Sequence, residues 1–188
     1  MKRFLSLVLV AVMMLSLIPM SMFSVFAETV IGNSEYMNIL LGREYQLSGC
    51  GERSSYYANL TDGIAADNLA TEDNNANWFG FYCNDGADPS IINAPDRVGY
   101  AIFDLGGTYM VDKIRTNFIS KSGWGIPAPK EINAYVSDDG ENWVSIGSFE
   151  LNYIDGEICW TELNGDWTTK YLKVEYVLAG TFACTNEI

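Results

Sequence analysis

Residues 128–146 read APKEINAYVSDDGENWVSI, the clearest strand–turn–strand pattern in the chain. Apolar and polar side chains alternate over residues 132–136, which is typical of a strand with two different faces. Asp139-Gly140 is a tight-turn dipeptide with apolar flanks, and Trp143 opens the returning strand. The stretch therefore predicts a β-hairpin, with the Trp143 side chain closing one end of a core.

The rest of the chain predicts more short strands separated by Gly and Pro turns. Residues 98–105 and 171–177 alternate in the same way, and residues 39–47 are a candidate first strand. Residues 84–97 have the composition of a long loop. No stretch predicts a helix of twelve residues, and no internal repeat is present. We therefore expect an all-β protein, an antiparallel β-sandwich or jelly roll.

The N-terminal 27 residues predict a secretory signal peptide. Two basic residues precede the nearly apolar residues 4–18, and residues 25–27 form a small-x-small cleavage site. A membrane anchor is the alternative, but Ser and Pro interrupt the apolar run. We expect cleavage, export of residues 28–188 as one domain, and no insertion into the membrane.

The charge of the chain excludes several classes of partner. The 188 residues have a formal net charge of −13, and loss of Lys2 and Arg3 with the signal peptide makes it −15. So acidic a domain is a poor partner for nucleic acid or an anionic membrane surface. The acidity either keeps an extracellular domain soluble or supplies carboxylates to a hard cation such as calcium. The chain has no histidine, which removes the commonest general base and zinc ligand.

The four cysteines, all in the exported part, fit no zinc or redox spacing. An oxidising compartment favours two disulfides among them, and three connectivities are open. The alternative is buried free thiols that act as small apolar residues. The cysteines are Cys50, Cys83, Cys159 and Cys184.

Short motifs follow one another along almost the whole of the exported part. In this order they resemble the coagulation factor 5/8 type C, or discoidin, domains, whose bacterial relatives include the family 32 carbohydrate-binding modules. The resemblance implies a galactose-binding-like jelly roll of about eight strands, a five-stranded sheet on one of three. The motifs are LGR at 41–43, LTDG at 60–63, Trp78, AIFDLG at 101–106, VDKI at 111–114, SDDGENW at 137–143, KYLKVE at 170–175 and NEI at 186–188.

The end of the chain departs from the family pattern. Discoidin domains usually continue for several residues past the NEI motif, whereas this sequence stops at Ile188. We therefore expect a domain truncated at its C-terminus, or a piece of a longer protein with appended catalytic domains.

The resemblance implies a structural calcium site. Its ligands would be the Asp62 side chain, carbonyl groups around the Asp62-Gly63 turn, and Glu187 near the C-terminus. Calcium takes six to eight oxygen ligands, and a tight turn presents carbonyl oxygens inward. The alternative for Asp62 is an ordinary turn aspartate that accepts a hydrogen bond from its own backbone.

Trp124 is the first candidate for ligand contact. It lies between two glycines in a loop, and the face of an aromatic ring can stack on the C–H face of a sugar. Asn117 and Arg115 are near it in sequence and could bind sugar hydroxyls. Tyr82 and Asn84, at the start of another long loop, are secondary candidates. The alternative is that Trp124 folds back over the core.

These residues predict a secreted, non-catalytic carbohydrate-binding module that binds glycans through its loops. A cell-surface or protein-adhesion domain of discoidin type is the alternative. An enzyme is the least favoured class, because no carboxylate pair lies in a recognisable catalytic motif and a Ser-His triad is excluded. The particular sugar is left open.

Overall fold

The computed structural model describes residues 37–52, 58–69, 77–84 and 87–188. Residues Ile39–Ile188 form one compact unit. The predicted signal peptide and its cleavage site lie outside the described residues, so they stay a prediction. No helix within the described ranges is long and apolar enough to cross a membrane.

The described residues form eight strands, one short helix and one 3-10 turn, so the prediction of an all-β protein is confirmed. The helix, α1, spans Pro89–Ile92, and the 3-10 turn spans Ser122–Trp124. The strands are β1 (Tyr45–Gly49), β2 (Gly51–Glu52), β3 (Phe79–Tyr82), β4 (Arg97–Ile119), β5 (Glu131–Ser137), β6 (Val144–Ser148), β7 (Ile158–Leu178) and β8 (Phe182–Thr185).

The strands form two antiparallel sheets. The five-stranded sheet has the order β1-β4-β7-β5-β6, and the three-stranded sheet has the order β2-β3-β8. The pairing of β4 with β7 runs from Arg97–Leu178 to Ile119–Ile158 and is interrupted by two register shifts. Such bulges bend a strand and increase its twist. The second half of β4 lies beside the C-terminal segment, where the Asn117 N–H donates to the Glu187 carbonyl at 3.3 Å.

The main core lies between the two sheets. Phe81 of β3, Phe103 of β4, Ile132 of β5 and Tyr176 of β7 are all fully buried. The Phe81 and Tyr176 rings meet across the sandwich with centroids 5.0 Å apart. Gly99 of β4 faces the same ring, and a Cβ atom there would collide with it. A glycine is therefore required where β4 passes Phe81.

A second, smaller apolar cluster lies on the other face of the three-stranded sheet. Neighbouring side chains of β8 belong to different clusters: Ala183 packs in the main core, and Cys184 packs in the small cluster. The small cluster holds the segment 64–69 and the loop after β4 against β8, and so positions both. Its buried members are Trp78, Ile119, Ile126 and Cys184, with Ala66, Leu69, Ile158 and Phe182 packed around them.

Three local predictions differ from the structure. Residues 39–42 form turns and the first strand begins at Tyr45, so the strand predicted over 39–47 starts too early. The 84–97 segment contains α1, whose N-terminus is capped by the Asp88 side chain. The 128–146 hairpin is confirmed as β5 and β6, but Trp143 is only half-buried and lies over Lys173, which faces out of the five-stranded sheet.

The cysteines combine both predicted states. Cys50 and Cys83 form a disulfide with their Cα atoms 4.7 Å apart, and this joins the residue between β1 and β2 to the residue after β3. Cys159 and Cys184 are free and buried. Burial raises the pKa of the Cys184 thiol to about 12, so this group stays protonated and unreactive at neutral pH.

Candidate functional site

The loop between β4 and β5 holds Trp124 outward. Lys121 and Ile126 form an isolated antiparallel bridge, with the Lys121 N–H donating to the Ile126 carbonyl at 2.6 Å. The 3-10 turn fills the space between them, and Gly125 ends it at φ 77°. Ile126 is buried in the small cluster, whereas Trp124 is 58% exposed. Trp124 therefore does not fold back over the core.

Lys121 fixes the orientation of the Trp124 ring. The Lys121 Nζ atom lies 3.0 Å from the ring centroid and donates a hydrogen bond to the Leu69 carbonyl at 2.9 Å. An ammonium group over an indole face is attracted by the ring quadrupole. One side of the indole is thus occupied by a fixed cation, while more than half of the side chain stays in solvent.

A second loop, residues 149–157, lies against the Trp124 loop. The Asp155 carboxylate accepts hydrogen bonds from Ser120 Oγ at 2.6 Å, the Ser122 N–H at 2.9 Å and Ser122 Oγ at 3.0 Å. The Ser120 hydrogen bond, followed by those of Ser122, lowers the pKa of Asp155 below its usual value. The contact therefore persists as an ionised carboxylate at neutral pH.

The same contact brings exposed apolar side chains beside the Trp124 loop. Tyr153, 53% exposed, and Ile154, 62% exposed, are the two residues before Asp155. The Tyr153 ring meets the buried Phe118 ring edge-on, with centroids 6.1 Å apart. Sequence reasoning missed these residues, because the only signal in this segment was the Asp155-Gly156 turn dipeptide. Trp124, Tyr153 and Ile154 together are called the loop patch below.

Tyr82 and Asn84 approach the Trp124 loop through the turn between β7 and β8. The Cys83 N–H donates to the Thr181 carbonyl at 3.1 Å, and a Cβ atom on Gly180 would lie 3.3 Å from Pro127 of the Trp124 loop. The Tyr82 ring stacks on Phe182 with centroids 4.5 Å apart. Asn84 is exposed at the edge of this region.

Asn117 is not available to a ligand, which corrects the expectation that it binds sugar hydroxyls. It is fully buried. Its Nδ2 atom donates to Asn186 Oδ1 at 2.8 Å, and its Oδ1 atom accepts from the Asn186 N–H at 2.9 Å and the Glu187 N–H at 3.3 Å. The side chain holds the C-terminal segment against β4.

Arg115 is exposed, but its guanidinium group lies over another ring. The Arg115 Cζ atom is 4.1 Å from the centroid of the Trp160 ring on the neighbouring strand β7. Arg115 precedes Lys121 by six residues, which is about 20 Å of extended strand. The structure therefore pairs Arg115 with Trp160 and does not bring it into the loop patch.

Asp62 and Glu187, the predicted calcium ligands, lie close together. The Gly63 N–H donates to Glu187 Oε1 at 3.2 Å, and Asp62 Oδ1 accepts from the Ile64 N–H at 2.9 Å. Burial, and then the negative charge of Asp62, raise the pKa of Glu187 to about 7. Asp62 thus makes the turn hydrogen bond of the alternative interpretation, and its charge also acts on a second carboxyl group, that of Glu187.

The Glu187 carboxylate has an unsatisfied oxygen. Oε2 is buried and has no hydrogen-bond partner among the described residues. A buried carboxylate oxygen beside a second negative charge requires either a proton or a cation. The described residues contain no group of three or more His, Cys, Asp or Glu side chains that could hold a metal. Backbone carbonyls would have to complete a calcium site, and the donor set, two carboxylates at a tight turn, fits calcium.

No family model matches the chain, and no curated protein matches it. Solved structures do match. A labelled mutant of chitosan-binding module 1 from the chitosanase/glucanase of Paenibacillus sp. IK-5 has a TM-score of 0.52 at 14% identity, over 80% of this chain and 94% of that chain. Chitosan-binding module 2 of the same enzyme, in complex with chitotriose, has a TM-score of 0.49 at 18% identity, over 80% and 96%.

A family 32 carbohydrate-binding module from Clostridium perfringens, in complex with GalNAc-β-1,3-galactose, has a TM-score of 0.48 at 15% identity. The match covers 77% of this chain and 91% of that chain. Together with the sheet order, the likeness to chitosan-binding module 1 establishes the fold. The chain is an antiparallel β-sandwich of a five-stranded and a three-stranded sheet, as its sequence predicts.

Proposed function

We propose that the chain is a secreted, non-catalytic carbohydrate-binding module that binds glycans at the loop patch. The observation that carries this proposal is the exposed Trp124 ring, held on a short bridged loop by Lys121 and backed by the small cluster through Ile126. A large aromatic side chain left in solvent on a fixed loop loses little conformational entropy when a sugar stacks on it. The similar structures include a family 32 carbohydrate-binding module in complex with GalNAc-β-1,3-galactose and a chitosan-binding module in complex with chitotriose.

Polar groups around Trp124 would bind the sugar hydroxyls. Ser122 and Asp155 lie on adjoining loops and already hydrogen-bond each other, so their orientations are fixed before a ligand arrives. Tyr153 adds a second exposed ring beside them. Carbohydrate sites combine such stacking faces with a few fixed donors and acceptors. Single-site affinity would be weak, and repeated contacts along a polysaccharide would raise it.

Calcium is part of the same proposal, as a structural ion. Asp62 and Glu187, with carbonyl groups of the 60–64 turn, would hold it. The ion would supply the positive charge that the buried Glu187 Oε2 atom lacks. Bound there, it would tie the turn to the C-terminal segment, which Asn117 holds from the other side. The ion would thus order the domain and take no part in a reaction.

Glycan-array binding tests the sugar proposal. The protein purified from residue 28 onward should bind a restricted set of glycans, and Trp124→Ala should abolish that binding while the melting temperature is unchanged. Met110→Ala is the matched control, because Met110 is 73% exposed on β4 and is not part of the loop patch. Binding that survives Trp124→Ala unchanged would contradict the site. Binding to proteins but to no glycan would favour the adhesion alternative.

A further inference from the structure

Three aromatic rings surround one lysine on the outer face of the five-stranded sheet. The Lys173 Nζ atom lies 4.4 Å from the Tyr135 ring centroid, 4.6 Å from that of Trp143 and 5.2 Å from that of Tyr100. The rings come from β4, β5 and the turn before β6, and the lysine comes from β7. These four residues and Glu175 are called the sheet-face cluster.

The polar part of the cluster is fixed by hydrogen bonds. Glu175 Oε1 accepts from Asn133 Nδ2 at 2.9 Å and from the Tyr135 hydroxyl at 3.0 Å. Asn133 Oδ1 in turn accepts from Ser148 Oγ at 2.6 Å. Burial, followed by the Glu175 charge, raises the pKa of Tyr135 to about 12, so the phenol remains a donor at neutral pH. The hydrogen-bonded side chains of Glu175, Asn133 and Ser148 therefore span strands β7, β5 and β6, and their donors and acceptors are already oriented.

The sandwich core does not use these side chains. Leu172 and Val174, which flank Lys173 on β7, point into the core and are buried, so Lys173 and Glu175 lie on the outer face of the sheet. Glu175 is itself buried there under the side chains that hydrogen-bond it. Tyr100, Tyr135 and Trp143 are each only half-buried. The Lys173 ammonium group lies among the three rings, and its desolvation by burial lowers the pKa of Lys173. The sheet thus presents ring faces and fixed polar atoms on rigid strands.

The charge of the cluster decides between ligand classes. Lys173 and Glu175 compensate each other, and Glu131, which accepts a hydrogen bond from Asn133 Nδ2 at 3.4 Å, leaves one negative charge beside the cluster in a chain of net charge −13. An anionic ligand would be repelled by the protein as a whole, and the Lys173 ammonium group already occupies the position over the rings that a ligand cation would take. Half-exposed rings beside hydroxyl and amide groups and the exposed Glu131 carboxylate match the C–H faces and hydroxyls of uncharged sugars.

We propose that the sheet-face cluster is a second glycan-binding surface, which contacts uncharged sugar rings of a polysaccharide. This inference rests on the proposed function, because it assumes that the protein binds glycans. It adds a contact region built on strands β4, β5 and β7, apart from the loop that carries Trp124. A polysaccharide long enough to reach both regions would bind more tightly than a short oligosaccharide held at one.

Affinity gel electrophoresis tests the second surface, with galactan, mixed-linkage β-glucan and glycol chitin as uncharged probes. The test uses the polysaccharide that retards the parent protein. Trp143→Ala should weaken the affinity for it about five- to tenfold, which is the loss expected from removing one aromatic stacking contact. Trp143→Phe should restore most of it, because it keeps a ring. Val144→Ser is the matched control, since Val144 is the next residue and is 65% exposed.

A tryptophan-selective measurement separates binding from stability. In protein labelled with ¹⁵N-tryptophan, the indole signal that Trp143→Phe removes should shift on titration with the same polysaccharide. Trp124→Ala, which should abolish binding to the short glycans of the array, should leave weak residual retardation by the polysaccharide, because the polysaccharide also reaches the sheet-face cluster. The double variant with Trp143→Ala should lose this residual retardation. If Trp143→Ala is retarded like the parent and its indole signal does not move, the second surface is refuted and the loop-patch proposal stands. If the parent binds no glycan on the array, both are refuted.

Discussion

At the scale of single residues, Asn117 and Trp124 show opposite outcomes of the same prediction. Both were expected to contact sugar. Trp124 is exposed because the two glycines beside it allow a short 3-10 turn that ends in a left-handed residue. Asn117 is buried because the C-terminal residues Asn186 and Glu187 lie on top of it and use its amide. Local sequence indicated the first environment, whereas the second depends on residues about 70 positions away.

Glu187 carries the residue-scale prediction. Calcium should raise the melting temperature of the domain at pH 8, and Glu187→Gln should abolish this shift. The folded-state pKa of Glu187 is about 7, above its ordinary value of 4.5, so the folded protein binds the proton more tightly. Without calcium, this group's contribution to stability is therefore fully present below pH 4.5 and is lost as pH rises through 7. Allowing for solvent screening, the loss is about 1–2 kcal/mol.

The control for the calcium prediction is the pH dependence of the melting-temperature shift. Protonated Glu187 cannot bind a cation, so the calcium shift should shrink from pH 8 to pH 5.5 in the parent protein. Asp62→Asn should weaken calcium binding in calorimetry, and Glu131→Gln, on β5 outside the site, should not. A parent protein that shows no heat and no melting shift with calcium at pH 8 would eliminate the ion from the proposal.

At the scale of elements, the β5–β6 hairpin is the most local structure in the domain. Its turn is closed by Asp139, which accepts from the N–H groups of Glu141 and Asn142 at 2.8 Å each and from Asn142 Nδ2 at 2.7 Å. The side-chain hydrogen bond from Asn142 is the first cause that lowers the pKa of Asp139. Gly140 adopts φ 78° between them. All of these residues lie within one short motif.

Gly140→Ala tests this turn. A residue with a Cβ atom in the left-handed region costs about 1–2 kcal/mol, so the urea midpoint should fall without a change in slope. Gly123→Ala is the matched control: a Cβ atom there meets nothing within 4 Å, and its φ is not in the left-handed region. Equal stability losses in the two variants would show that the turn conformation is not the cause.

At the scale of the whole molecule, contacts distant in sequence join the two sheets to the C-terminal segment. The Cys50–Cys83 disulfide closes a separation of 33 residues. The Ile188 N–H donates to the Leu60 carbonyl at 2.9 Å, and Thr116 Oγ1 donates to the Glu187 carbonyl at 2.8 Å. These bonds tie the chain end to a turn and a strand more than 70 residues earlier. The same segment carries Glu187, so the proposed metal site depends on the complete sandwich.

The disulfide gives the whole-molecule prediction. Cys50→Ser with Cys83→Ser should lower the free energy of unfolding by about 3–4 kcal/mol, from the loop-closure entropy of 33 residues. Thiol titration with Ellman's reagent should find none reactive in the native protein and two in denaturant, because Cys159 and Cys184 are buried. Cys159→Ala should reduce the denatured count to one and leave the disulfide intact. Four thiols in unreduced, denatured protein would contradict the pairing.

The fold class could be predicted from the sequence because its signals are local. These signals are the alternation over residues 132–136, the Asp139-Gly140 turn and the ordered motifs. Each comes from residues close together in the chain, so it can be recognised without knowledge of the tertiary contacts. The exposure of Trp124 could be predicted for the same reason, because the two glycines beside it are its neighbours in the chain. The environments of Trp143 and Tyr153 could not be predicted in this way, because strand pairing decides which sheet face or loop lies beside each of them.

Tertiary structure alone decided which faces are covered. The rule of alternation predicts that one side of β4 meets solvent, yet Thr116, Asn117, Phe118, Ile119 and Ser120 are all buried. One face of this segment packs into the sandwich, and the other is covered by the C-terminal segment and the small cluster. Sequence therefore determined the strands, turns and sandwich class, since these depend on neighbouring residues. Burial, the pairing of Cys50 with Cys83, the orphan oxygen of Glu187 and the sheet-face cluster depend on contacts between distant residues, which no local pattern encodes.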